Sequence, residues 1–552
     1  MAIEMPSDDI LLGIFRHYLD ATPRSWPMLG WVCQRWRHIV FTSPLSLNLR
    51  LYCTYGTPII KSLDCWPAAL PIVIQYGGFP NLDPPSPEDE ENIIAALKQS
   101  SRPTTINLTV TKSLLENLSA ISDPFSELEE LVLLSKDNMQ LALPSSFRWG
   151  ARLRTLHLTR VAIPALPRLL SPLTGLVDLL LDEIPKVGYF PPEAFANALS
   201  GMTHLRTLSL HFLSSLPRRE YILQPPPSEE RVVLPSLTCL IYRGTSKYLD
   251  SLVARIDASH LEDIDITLFS QPTMDASQLG QFIERIEMQT SLSQADVEIS
   301  SQAISICFSK PGSLSQLYLK ISCKQLDWQL FSMSQICHHF SFLFCVEDLG
   351  IYVTQCPTGL DDMNEERWLE IIRRFDDANK FRVAGKLATD ILCALGRAKG
   401  EHPTDTTVLP ALRNLRIQEP MPLNGPLWNA AKLFITLRRL SGRPVEGYVS
   451  QFLCHICNST SFEEQQVLKA HLVDIHACRI MCTYCGNFEF RPACSALFLE
   501  HLESRHPSEA AHVDTLTLNP ALQIFPPADV FEPPAEPEAL DAPLPDFEDF
   551  QI

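Results

Sequence analysis

Residues 153–158 read LRTLHL and residues 205–210 read LRTLSL. In each, the last two leucines are two positions apart, so they share one face of an extended strand. The residue between them falls on the other face. The same spacing holds at Leu128/Leu131/Leu133 and Leu176/Leu179/Leu181. Looser copies are Leu237/Leu240/Tyr242, Leu261/Ile264/Ile266, Leu314/Leu317/Leu319, Val346/Leu349/Ile351 and Leu412/Leu415/Ile417. Helix-like runs such as PPEAFANALSGMTH (191–204) lie between them.

The early copies recur every 25, 23 and 29 residues. Such a period suits leucine-rich repeats, in which each strand-plus-helix unit buries its apolar face against its neighbours. Later gaps of 53 and 66 residues, and the missing Asn or Cys that closes the motif, make the repeat degenerate. An irregular solenoid with insertions is expected over 103–440, offering an extended surface for a protein partner. An α/β domain of another topology with Leu-rich strands is the alternative.

The rest of the chain bounds the function. Its 552 residues suit two to four domains, and 45% hydrophobic with 20% charged residues is ordinary globular composition. No apolar run has membrane-spanning length and no signal-peptide pattern opens the chain, so cytoplasm or nucleus is expected. No phosphate-binding Gly-rich loop, HExxH or GxSxG occurs, and an enzyme is not expected. Residues 51–102 read as a strand-rich connection, with an acidic, Pro-containing loop at 80–92. SGRPVEG (441–447) reads as a linker. After Arg505 there is no Lys or Arg, and the acidic Pro-rich tail 511–552 is expected to be disordered.

Sixteen cysteines occur, and six of them crowd between Cys454 and Cys494. Cys454 and Cys457 precede His471 and His476; Cys482 and Cys485 precede His501 and His506. A two-cysteine knuckle followed by two histidines supplies four tetrahedral ligands, so zinc is the expected cofactor of a ββα module over 448–510. Cys478 and Cys494 are alternative ligands for the second site. Each histidine pair is five residues apart, about 140° around an ideal helix, so the helix must loosen or end between them. The base-reading helix positions hold Glu464, Val467 and Ala470, then Cys494, Leu497 and Glu500. None is a usual reader of guanine or adenine. Four Lys/Arg face six Asp/Glu from Phe452 to His506, and the chain carries a formal charge of −19. Sequence-specific nucleic-acid binding is therefore not expected, and the zinc is read as structural.

At the N-terminus, Ile10, Leu11, Ile14, Phe15, Tyr18 and Leu19 recur at helical spacing behind Ser7, a good cap. A second apolar stripe holds Leu29, Val32, Cys33, Trp36, Ile39 and Val40. This arrangement resembles the F-box: Met5-Pro6 stands for Leu-Pro, followed by Ile10-Leu11, Ile14-Phe15, Val32-Cys33 and Trp36-Arg37. The stretch LNLRLYCTYGTPIIKSLDCWPAALPIVIQYGG (47–78), with KQLDWQLFS (324–332), ERWLEIIRRF (366–375) and LSGRPV (440–445), is similar to basidiomycete fungal F-box proteins with repeat-rich C-terminal regions. The resemblance implies a substrate-recruiting subunit of an SCF cullin–RING ubiquitin ligase. Residues 1–50 would dock on the SCF adaptor through Pro6, Ile10, Ile14, Leu29, Val32, Cys33 and Trp36, as surface or as the core beneath it. A helical cap on the solenoid's open end is the plainer reading, and a zinc-finger transcription regulator or interaction scaffold with an acidic tail is the alternative function. The expected fold class is α/β: helical F-box, leucine-rich-repeat-like solenoid, zinc fingers, tail.

Overall fold

The computed structural model describes the chain except residues 1–5, 45, 56, 58, 77–84, 122, 137–140, 145–146, 164–165, 214–230, 270–275, 314, 355–364, 386, 398–407, 422–425, 446, 454–460, 463–478, 483–488, 491–521 and 526–552. Beyond 446 only backbone strands are described. The chain forms two compact units, one of residues 1–415 with 433–446, the other of 416–432 with 447–552.

In the first unit the leucine motif becomes a ladder. Its strands are β1 (Leu51–Thr54), β2 (Ile72–Tyr76), β3 (Pro103–Thr109), β4 (Glu130–Leu134) and β5 (Thr155–Thr159). Next come β6 (Asp178–Ile184), β7 (Thr207–Phe212), β8 (Cys239–Gly244) and β9 (Asp263–Phe269). Each runs parallel to the one before. One apolar row stacks Ile106, Leu131, Leu156, Leu179, Leu208, Leu240 and Ile264 in register. A second stacks Leu108, Leu133, Leu158, Leu181, Leu210, Tyr242 and Ile266. Every one of these side chains is buried. Burying a leucine contributes about 1.5–3 kcal/mol, so repetition of one short motif supplies the core. The leading leucines at 128, 153, 176, 205, 237 and 261 are buried too. Leu314 lies outside the described residues.

The long gaps have a physical cause. After β9 the chain forms a meander of β10 (Gln294–Ile299), β11 (Ala303–Ser309) and β12 (Gln316–Ser322). β12 returns to pair parallel with β9, and β11 runs antiparallel to both its neighbours. β13 (Asp348–Val353) then pairs parallel with β10, giving the spatial order β9-β12-β11-β10-β13. The succession of parallel repeats expected from the motif is thus broken by one inverted insertion. The 66-residue gap hides a further repeat, β14 (Lys380–Gly385), parallel to β13. Its Ala378, Phe381 and Val383 take the motif's positions, all buried.

The ladder also begins upstream of residue 103, since β1 and β2 belong to it. The acidic stretch read as a loop is helical from Pro87 to Leu97, where the Ser86 hydroxyl accepts from the Asp89 amide at 3.2 Å. Residues 80–84 of that stretch lie outside the described residues. Among the described residues no helix is long and apolar enough to cross a membrane.

Three helices precede the ladder: α1 (Asp8–Ala21), α2 (Trp26–Val32) and α3 (Gln34–Thr42). Leu11, Phe15, Leu19, Trp26, Leu29, Ile39 and Val40 are buried among them. Trp26 Nε1 donates to the Arg50 carbonyl at 2.6 Å, and its ring meets Trp66 edge-on at 4.7 Å. Arg24 Nη2 donates to Gln75 at 2.6 Å. The helices therefore lean on the first strands.

In the second unit, strand Gly447–Leu453 turns back antiparallel to Ser461–Phe462. Arg479–Cys482 pairs antiparallel with Glu489–Phe490. Leu522–Phe525, within the tail expected to be disordered, pairs with the other edge of Arg479–Cys482. A short apolar run can complete an open strand edge, which composition averaged over the tail conceals. The rest of 511–552 lies outside the described residues.

Candidate docking surfaces

The N-terminal helices divide the seven residues singled out in the sequence. Ile10, Ile14 and Val32 are exposed at 57%, 54% and 59%. Leu29 is buried beneath them, and Trp36 is half-buried with its ring edge-on to Phe15 at 4.7 Å. Cys33 is exposed, but its sulfur accepts from the Trp36 amide at 3.4 Å and caps α3. Pro6 is exposed too, and its carbonyl accepts from Arg35 Nη2 at 2.6 Å. The same guanidinium pairs with Asp8 at 2.6 Å, fixing the entry to α1.

Three residues not singled out complete the apolar surface: Tyr18, Met28 and Trp31 are also exposed. Ile10, Ile14 and Tyr18 follow one another at four-residue steps, so they line one stripe of α1. Six of the fifteen exposed large apolar side chains among the described residues fall between Ile10 and Val32. Such crowding makes this face a candidate interaction surface, whereas scattered exposed apolar residues need no explanation. Helical periodicity puts Leu11 and Ile14 in one apolar stripe, and only packing reveals which side faces solvent.

The strand face of the ladder carries the residues that alternate with the buried rows. Two polar clusters stand out. His157 on β5 and His211 on β7 both meet Asp182 on β6, at 2.9 Å from Nε2 and 3.1 Å from Nδ1. The Ser209 hydroxyl donates to the same carboxylate at 3.3 Å. Burial pushes the Asp182 carboxyl up, but the His157 hydrogen bond and the charges of both imidazoles reverse this and hold it below its ordinary value. Burial pushes His211 below its ordinary value, against the pull of Asp182, and Arg243 adds to the effect. The Thr159 hydroxyl hydrogen-bonds His157 Nε2 at 3.1 Å, so carboxylate, imidazole and hydroxyls hold one another across three strands.

The second cluster centres on Arg382 of β14. Register places Asp296, Gly350 and Arg382 side by side on β10, β13 and β14. Arg382 reaches across Gly350 to Asp296, Nη2 to Oδ1 2.7 Å, while Nε meets Asp348 at 2.8 Å and Nη1 donates to the Tyr352 hydroxyl. A Cβ on residue 350 would sit 2.3 Å from Asp296 Oδ1. Glycine at 350 is what lets the guanidinium bridge two carboxylates. Between the clusters, burial and Asp263 push the Asp265 carboxyl up, while His211 and Lys320 oppose them. The face thus presents fixed charges of both signs on rigid strands. The sequence signal for it is the set of residues that alternate with the motif leucines, before, between and after each pair, read across copies.

Of the zinc ligand candidates, Cys454, Cys457, His471, His476, Cys485, His501 and His506 lie outside the described residues. Cys482 ends its strand. The first antiparallel strand pair is joined by residues 454–460 and the second by residues 483–488, which lie outside the described residues. Among the described residues no metal-binding cluster forms.

No family model matches the sequence. No curated protein matches it. Among solved structures, the chain is similar to the leucine-rich repeat-containing protein LegL7 from Legionella pneumophila, at 14% identity and TM-score 0.25, covering 72% of this chain and 98% of that one. It is also similar to the TLR13–ssRNA13 complex, at 13% identity and TM-score 0.27, covering 72% of this chain and 48% of that one. The repeat architecture rests on the strand register.

Proposed function

We propose that the chain is an F-box subunit of an SCF cullin–RING ubiquitin ligase, acting in the cytoplasm or nucleus. In this reading α1 and α2 dock on the SCF adaptor and the repeat ladder holds a protein substrate. The observation that carries it is the exposed apolar surface of Ile10, Ile14 and Val32 on helices braced against the ladder. A cap needs only the buried side of those helices, whereas docking needs the outer one. The chain transfers no ubiquitin itself; it fixes the substrate relative to the adaptor. Adaptor binding by the intact chain tests the reading: submicromolar affinity is expected, and no binding at about 10 µM removes it.

The 448–510 segment is proposed to hold two structural zinc ions, through Cys454, Cys457, His471 and His476, and through Cys482, Cys485, His501 and His506. Hairpins bracketing both knuckles support this. So small a unit draws its folding energy from the metal, about 10–16 kcal/mol per structural zinc. Acidic and apolar residues at the base-reading positions favour a protein contact over DNA.

A further inference from the structure

Near its C-terminal end the ladder carries a cleft of about 830 Å³, lined in part by Arg413, Arg438, Arg443, Glu347 and Asp377. Arg438 is 0% exposed and sits in the last turns of helix Pro426–Leu440. Its Nη1 donates to the Leu409 carbonyl at 3.0 Å and its Nη2 to the Leu412 carbonyl at 2.9 Å. Its Nε–H is buried without a partner, and among the described residues no carboxylate pairs with it. A buried guanidinium held only by carbonyls keeps its charge uncompensated, a costly arrangement. Burial, and then Arg443, lower its pKa, yet a guanidinium stays charged at any physiological pH.

Arg443 is placed by the backbone. The helix ends in a turn in which Gly442 takes φ +73°, its amide bonding Arg439 at 3.1 Å and the Arg443 amide bonding Arg438 at 3.0 Å. This pair of hydrogen bonds, one spanning six residues (438–443) around one spanning four (439–442), is the Schellman cap, and it delivers Arg443 to the cleft beside Arg438. Arg413 follows the Leu412 whose carbonyl Arg438 holds. Three cations are thus tied to one piece of backbone. Low-dielectric walls focus the field of a buried charge into an adjoining cleft.

We propose that this cleft binds a single oxyanion, a phosphate or carboxylate group, with Arg413 and Arg443 making contact and Arg438 supplying positive potential from beneath. Glu347 and Asp377 are the acidic side chains among its lining residues, two beside three arginines. A single anionic group suits that balance, and a polyanion such as nucleic acid does not. The site is separate from the adaptor surface and does not depend on the ligase reading.

Calorimetric titration of the full-length chain with inorganic phosphate, and separately with acetate, tests it against chloride at matched ionic strength. Saturable one-site binding of at least one oxyanion is expected. Phosphate alone binding identifies a phosphate site; acetate binding as well extends it to carboxylates. The paired change Arg413→Ala and Arg443→Ala, both at surface positions, should weaken binding at least about tenfold with the circular dichroism spectrum unchanged. Arg438→Met should weaken it too, and if that variant does not fold, the surface pair decides. No saturation by either anion below about 10 mM, or equal binding by the surface pair and the unaltered chain, overturns the proposal.

Discussion

At the scale of single residues, the strand face sets the sharpest constraints. Gly350 has no room for a methyl group, because Asp296 Oδ1 and the Tyr352 ring occupy it. Gly350→Ala should push Arg382 off Asp296 and lower stability by about 1–3 kcal/mol, the usual cost of overpacking. Urea unfolding followed by tryptophan fluorescence should show the earlier midpoint. His211 gives a pH signature. Its folded pKa lies below its unfolded value, so the unfolded chain binds more protons between the two. The stability it contributes is complete above about pH 6.5 and is lost as pH falls through the folded value. His211→Gln should flatten the fall in melting temperature in that window. Asp182, also depressed, adds its own loss only below about pH 4, in the carboxylate range.

At the scale of elements, α1 separates folding from docking in neighbouring residues. Ile14 is 54% exposed and Phe15 is 1% exposed. Ile14→Ala with Ile10→Ala should leave the helical content intact and weaken adaptor binding at least about thirtyfold, the loss of about 2 kcal/mol expected for an interface anchor. Phe15→Ala should instead cost about 3–5 kcal/mol of packing and melt the helical unit. A binding assay paired with circular dichroism distinguishes them; unchanged affinity in the Ile10/Ile14 variant would remove the docking reading. The knuckle hairpins make a second element-level prediction. Metal analysis of the full chain should give two zinc ions, and Cys454→Ser or His471→Ala should each leave one.

At the scale of the molecule, the helical unit both leans on the ladder and turns an apolar surface outward. Deleting residues 1–50 should therefore do more than abolish adaptor binding. It strips Trp26 from the Trp66 ring and Arg24 from Gln75 and the Tyr52 ring, leaving strand Leu51–Thr54 as the first element of the chain. An uncovered edge strand invites pairing with other chains, so the truncated protein should aggregate in light scattering where the Ile10/Ile14 variant stays monodisperse.

The sequence by itself determined the strands of the repeat. A leucine two positions from another declares a shared face whatever surrounds it, and the motif copies coincide with strands, the last with Asn414–Met421. The spacing of cysteines and histidines is also a local pattern, and the zinc proposal rests on it. Sequence left undecided what depends on partners distant along the chain. The inverted meander at β10–β12 uses the same alternation as any strand, so its order in the sheet follows from pairing alone. β14 escaped because Ala, Phe and Val fill a core as well as leucine does when neighbours supply the volume. Ile14 and Phe15 are equally apolar, and only the packing of α1 on α3, where Phe15 meets Trp36, buries one and leaves the other in solvent. The charge bridge over Gly350 joins residues 296, 350 and 382, brought into line by register, a tertiary property that no local spacing encodes.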